Sequence, residues 1–208
     1  MNRILSCSTA LLAVLGAVIP AVAQVETTQI MVRLFNRSSV TVAIVNEGES
    51  QAGEILRRAG IDVSWMNCDE AAPECVEEPS ATNLIFTIVK QGSGMGSKEV
   101  LGIAVQDSAG SGAYGYIFEN KLNEVSGQNH IPAARLLGYA MAHELGHLLK
   151  GSHSHSPTGI MSCLWSKYEL AELSRGALWF TSKDAEVMHS RLRKIGDIKQ
   201  TAKLDTRR

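Results

Sequence analysis

Two histidines four residues apart, with a glutamate directly after the first, are the residues of this chain best placed to do chemistry: His143-Glu144-x-x-His147. On a helix, side chains at i and i+4 share a face one turn apart, so both imidazoles can reach one metal ion while the carboxylate projects beside them. Imidazole suits zinc, whose catalytic sites take three protein ligands and keep a fourth position open for water. The third ligand has to come from outside the helix, because another residue one turn further along would recede from the metal. His153, six residues beyond His147 and past a Lys150-Gly151 pair that can end the helix, is the expected third ligand, with His155 the alternative. His-Glu-x-x-His is the signature of zinc hydrolases, in which the glutamate takes a proton from zinc-activated water and passes it to the leaving group. By residue frequency the His-Glu-x-x-His pattern arises by chance in roughly one chain of this length in a few hundred, and a third histidine at fixed offset lowers that by a factor of about fifty.

The surrounding segment must be helical for this spacing to matter. Pro132 can open a helix at its first turn, and Ala133, Leu136, Leu137, Ala140, Met141, Leu145 and Leu148 supply an apolar face at helical spacing. Upstream, 29–35 (QIMVRLF) alternates as a strand. Ser38 or Ser39 can cap a helix carrying Ile44, Gly48, Ala52, Ile55, Leu56 and Ala59, although the β-branched run 40–45 also fits a strand. Gly60 stops that helix and 61–66 reads as a second strand. Segment 83–90 (NLIFTIVK) is mostly apolar, as a strand in the middle of a sheet would be. The glycine-rich 91–99 (QGSGMGSKE) lacks the Gly-Lys-Ser/Thr ending of a phosphate loop and reads as a flexible connection. Two more strands follow at 100–106 and 113–121; in the second, Tyr114, Tyr116 and Phe118 alternate with small or polar residues, as in a half-exposed edge strand. After Met161 the chain is less regular around Trp165, Tyr168 and Trp179. A last helix is expected over 183–195, capped by Thr181 or Ser182. These elements make one mixed α/β domain, with a twisted, mostly parallel sheet, an antiparallel edge strand, a long active-site helix and a C-terminal helix.

With 208 residues, 45% of them hydrophobic, and a net charge of −1, the chain fits one globular domain and has no general basic field for nucleic acid or anionic membranes. Arg3, the apolar run 4–19 and Ala21-Val22-Ala23 form a secretory signal with cleavage expected after Ala23. The run is short for a spanning helix, so no stable membrane anchor is expected after cleavage and the product is secreted or periplasmic. The domain then covers 24–196, and 197–208 is a polar tail expected to fray. Export permits disulfides, and Cys68 and Cys75, flanking a short acidic loop, pair naturally as a local bridge contributing roughly 2–3 kcal/mol. Cys163 is left over and reads as a buried unpaired thiol; His130 and His189 read as structural or surface residues.

The stretch 143–153 (HELGHLLKGSH), followed by Met161, resembles the metzincin clan of zinc metallopeptidases, whose pattern is His-Glu-x-x-His-x-x-Gly-x-x-His with a methionine turn downstream. The resemblance covers about twenty residues. It implies a zinc cofactor held by His143, His147 and His153, Glu144 as general base and acid, and Met161, within 158–162 (TGIMS), packed beneath the metal. It also implies a polypeptide substrate bound by strand addition along 113–121, hence a secreted zinc endopeptidase, expected to be a monomer. One position departs from the pattern: its glycine falls at Lys150, and Gly151 would have to take the left-handed conformation instead. Two other functions remain open, a zinc-binding interaction domain without turnover and a zinc hydrolase of a non-peptide amide or ester.

Overall fold

A strand–helix–strand unit begins the described chain. The computed structural model describes residues 28–68, 73–91, 100–108, 110–151 and 154–205, with side chains to residue 196 apart from residue 74. β1 (Thr28–Arg37) leads into α1 (Val42–Arg58) and returns through β2 (Ile61–Cys68), which lies parallel beside β1. The helix starts at Thr41, whose Oγ1 accepts from Ile44 N at 3.4 Å, and not at Ser38 or Ser39. Its buried residues Val45, Gly48, Ala52, Ile55 and Leu56 recur at helical spacing, which settles 42–45 as helix in spite of its β-branched content.

β3 (Asn83–Val89), β4 (Gly102–Val105) and β5 (Tyr114–Phe118) complete a five-stranded sheet in the order β2-β1-β3-β5-β4. β3 is central, as its apolar run predicts. The edge assignment needs correction. β5 is internal, parallel to β3, and the antiparallel edge strand is β4. The alternation of Tyr114 and Tyr116 with buried Gly115 and Ile117 reflects a sheet with one covered and one more open face, not an edge. The covered face carries Ile30, Val32 and Leu34, then Leu84, Phe86 and Ile88, all buried against the helices. On the opposite face Arg33 is buried under the segment after β2, donating to Asn83 Oδ1 at 3.0 Å and to the carbonyl of Cys75 at 2.9 Å. The expected Cys68–Cys75 disulfide is present, with its Cα atoms 5.8 Å apart.

After β5 the chain turns at once into α2 (Glu119–Asn129), where the sequence suggested continued strand. This helix buries only Leu122, so it has almost no apolar periodicity to reveal it. α3 (Ala133–Lys150) follows, then α4 (Lys167–Ser174), which begins at a Ser166–Glu169 capping box, and α5 (Ser182–Asp205), which runs well past the expected end near Ile195. The signal segment and the glycine-rich 92–99 lie outside the described residues. None of the described helices is long and apolar enough to cross a membrane.

α3 is set against the sheet and α1 by a contact between glycines. A Cβ on Gly138 would meet the carbonyl oxygen of Gly48 at 2.7 Å and Gln51 Cβ at 2.6 Å. Backbone cannot yield as a flexible side chain can, so overpacking should outweigh the better helix propensity of alanine, which is worth only about 1 kcal/mol. Gly138→Ala is therefore expected to lower stability by about 1–3 kcal/mol in urea unfolding; a more stable variant would refute this account of the helix seating. On the far side of α1, burial pushes the Glu49 carboxyl above its ordinary value, more than the hydrogen bond from Asn67 Nδ2 lowers it. A raised folded-state pKa means that ionisation works against folding, and the cost grows as pH rises above about 4.5. Glu49→Gln should accordingly melt higher than wild type at pH 7, with the difference shrinking as pH falls to about 4.5.

Candidate metal centre

α3 is buried along nearly its whole length, and its histidines emerge at the C-terminal half where the helix faces a loop. His143 and His147 stand one turn apart with their Nε2 atoms 3.2 Å from each other. His143 Nδ1 lies 2.7 Å from the carbonyl oxygen of Ile160. A carbonyl can only accept, so Nδ1 carries the proton and Nε2 keeps its lone pair for a ligand. Burial holds the His143 imidazole neutral, with its pKa down at about 4, and neutral imidazole is the form that binds metal. His155 closes the group: its ring lies 5.5 Å from that of His143 and 4.8 Å from that of His147. Ligand atoms of the three histidines all fall within 4.8 Å of one another. Three imidazoles with no thiolate among them are the donor chemistry of a catalytic zinc site with an open position, so the residues present fit that ion.

Glu144 is only 7% exposed, and burial pushes its carboxyl up to about 8 against the opposing pull of a hydrogen bond from the Ala104 backbone amide. That amide belongs to β4, so the edge strand, not β5, runs beside the carboxyl. A cation held by the neighbouring imidazoles would favour the ionised form and bring the group back toward the range of a base.

The loop after α3 is shaped from both ends. Gly151 caps the helix at φ 69°, and its amide donates to the carbonyl of His147, which also accepts from Gln106 Nε2 at 2.6 Å. Lys150 keeps helical geometry, so the left-handed turn falls one residue later than in the pattern the sequence resembles. A side chain at 151 would also run into the Arg191 guanidinium. Farther on, the amide of Ser156 donates to the carbonyl of Met161 at 2.8 Å, closing the turn that carries the Ile160 carbonyl to His143. Met161 is buried beneath α3, and its sulfur fills the space that a Cβ on Gly146 would take.

His153 and Ser152 lie outside the described residues. Among the described residues, the histidine brought to the pair on α3 is His155, the alternative third ligand. Two contributors escaped the sequence reading. Trp165 donates through Nε1 to the same Ile160 carbonyl at 3.1 Å and sets its ring edge-on to His143 at 5.8 Å. Asp184, 2% exposed, pairs with Lys150 Nζ at 2.7 Å. Burial raises its carboxyl, but hydrogen bonds from Lys150, Ser156 and Thr181 outweigh that and hold it below its ordinary value. Neither residue carries a motif; only their packing against the loop identifies them. Cys163 is exposed, not buried, because the chain reaches the surface just after the buried Met161 and Ser162. His130 ends α2 in the left-handed conformation, and His189 lies 2.7 Å through Nε2 from the carbonyl of Ala59, both structural placements.

The histidine-bearing helix is thus packed on one face of a five-stranded mixed sheet. Among solved structures the fold is similar to that of archaemetzincin from Methanopyrus kandleri, with a TM-score of 0.50 and 17% identity over 79% of this chain and 96% of that one. No protein-family model and no curated protein matches the chain.

Proposed function

We propose that the protein is a zinc-dependent endopeptidase, exported by the signal read in residues 1–23, with His143, His147 and His155 as ligands and Glu144 as general base and acid. The observation that carries this reading is the convergence of three imidazoles within 4.8 Å beside a buried glutamate. The likeness of fold to an archaemetzincin supports it. Zinc, when bound, supplies Lewis acidity toward a carbonyl and acidifies water in its open position.

The chain's own groups do the remaining work. The Ile160 carbonyl fixes the His143 tautomer and ring plane from behind. Glu144, aimed by the Ala104 amide, accepts a proton from the attacking water and returns it to the departing amine. Ala104 lies on the edge strand, whose outer backbone groups suit an extended polypeptide added as a further strand; this role passes from 113–121 to β4. Met161 packs under α3 and supports the turn that holds the Ile160 carbonyl in place.

Two measurements test the reading. His155→Ala should strip zinc from the purified protein while His153→Ala retains it; the reverse result would restore the ligand expected from spacing. Wild type should cleave unstructured polypeptide, and Glu144→Gln should bind zinc with activity lower by a factor of about a hundred or more. Zinc binding without cleavage of any peptide or ester in wild type would favour a binding domain, and cleavage that survives Glu144→Gln would overturn the mechanism.

A further inference from the structure

We infer that a buried ion pair, Lys150 with Asp184, is the positioning device that holds His155 at the metal site. The inference rests on the proposed reading of His155 as a ligand and adds to it the residues through which that ligand is placed.

His155 sits in a loop with no regular structure, between the end of α3 and the turn at Ile160. A ligand on such a loop needs its backbone fixed from both sides, because a displacement of about 1 Å spoils a metal site. Both neighbours of His155 are fixed by the same ion pair. Lys150 Nζ donates to the carbonyl of Ser154 at 3.2 Å and to Asp184 Oδ1 at 2.7 Å. Ser156 Oγ donates to that same Oδ1 at 2.6 Å. The residue before the histidine is thus held by the lysine and the residue after it by the aspartate.

The pair is anchored in turn to rigid elements. Lys150 is the last residue of α3, the helix that carries His143 and His147. Asp184 stands in the first turn of α5, where Thr181 Oγ1 and the Thr181 amide donate to Oδ2 at 2.6 and 3.2 Å. The side chains of Lys150 and Asp184 are 6% and 2% exposed, so the pair is shielded from solvent screening. A buried ion pair contributes little net stability, but its geometry is strongly determined because either partner alone would be an uncompensated charge. Lys150 occupies the position where the metzincin pattern carries glycine. In this chain the turn moves to Gly151 and the lysine side chain becomes the strut that braces the longer loop.

The test is zinc affinity of the purified full-length protein, measured by competition with a chromophoric chelator for wild type, Lys150→Met, Asp184→Asn, Ser156→Ala and His155→Ala. Lys150→Met and Asp184→Asn should weaken zinc binding about 10- to 100-fold, the range for groups that orient ligands, and Ser156→Ala by a smaller factor. The decisive readout is coupling: in a His155→Ala background each substitution should cost no further affinity. With cobalt in place of zinc, the visible spectrum of Lys150→Met should move toward that of His155→Ala. A purely structural role would lower melting temperature while leaving the cobalt spectrum of the loaded protein and the His155 dependence untouched, and that result overturns the inference. Should the ion-pair variants fail to fold, Ser156→Ala keeps both charges and decides the matter by the same coupling. Failure of the underlying reading is separately visible: wild type would not bind zinc, or would bind it equally well as His155→Ala.

Discussion

The site depends on how deeply α3 is seated. Its histidines can meet a third imidazole only if the helix lies at fixed depth and rotation over the sheet, and the Gly48–Gly138 contact sets that depth by letting the backbones of α1 and α3 touch. Around it, Leu136, Leu137, Leu145, Leu148 and Leu149 are all buried, and at roughly 1.5–3 kcal/mol each they supply on the order of 10 kcal/mol of apolar driving force. That force offsets a definite cost. A Glu144 carboxyl whose pKa stands at about 8, against an ordinary 4.5, disfavours the folded state by about 3 kcal/mol at pH 7 when no cation is near. Removing the glutamate would relieve that cost, so its presence in an otherwise apolar helix face calls for a chemical reason rather than a structural one.

From this seated helix the rest of the site is built by reaching back to it. The loop from Gly151 to Met161 leaves the end of α3 and returns beneath it, so the same helix supplies two imidazoles and the surface on which the third is braced. Hydrogen bonds converge on two of its partners' oxygens: the Ile160 carbonyl, which meets both His143 and Trp165, and Asp184 Oδ1, which meets Lys150 and Ser156. One fixes an imidazole on the helix and the other fixes the loop. Because α5 carries Asp184 and Arg191, and Arg191 also donates to the Gly110 carbonyl, the C-terminal helix ties the loop to the β4–β5 connection as well.

What the sequence makes legible follows from where its information is local. Helical periodicity located α1 and α3, and the near-continuous apolar run 83–90 located the central strand, because those segments bury a whole face. The Cys68–Cys75 bridge and the left-handed Gly151 were also readable, since both depend on residues a few positions apart. α2 escaped because a helix that buries one leucine has no pattern to read. α4 buries only Leu173, yet its Ser166–Glu169 box was a signal available in the sequence. The order of β4 and β5 was not legible in principle: an edge strand and an internal strand on an open-faced sheet both alternate, and only the pairing partner distinguishes them.

The third histidine illustrates the same limit at higher resolution. Spacing from His147 favours His153 only if the turn begins where the resembling pattern places its glycine. A lysine at that position has a Cβ, which makes the left-handed conformation costly, so the helix continues one residue further and ends at Gly151. Each added helical residue rotates the exit direction by about 100°. The exit from the helix is therefore displaced, and among the described residues His155 is the histidine whose ring lies beside those of His143 and His147. A single residue at the end of a helix thus bears on which histidine can approach the pair on α3, through geometry that no count of intervening residues contains.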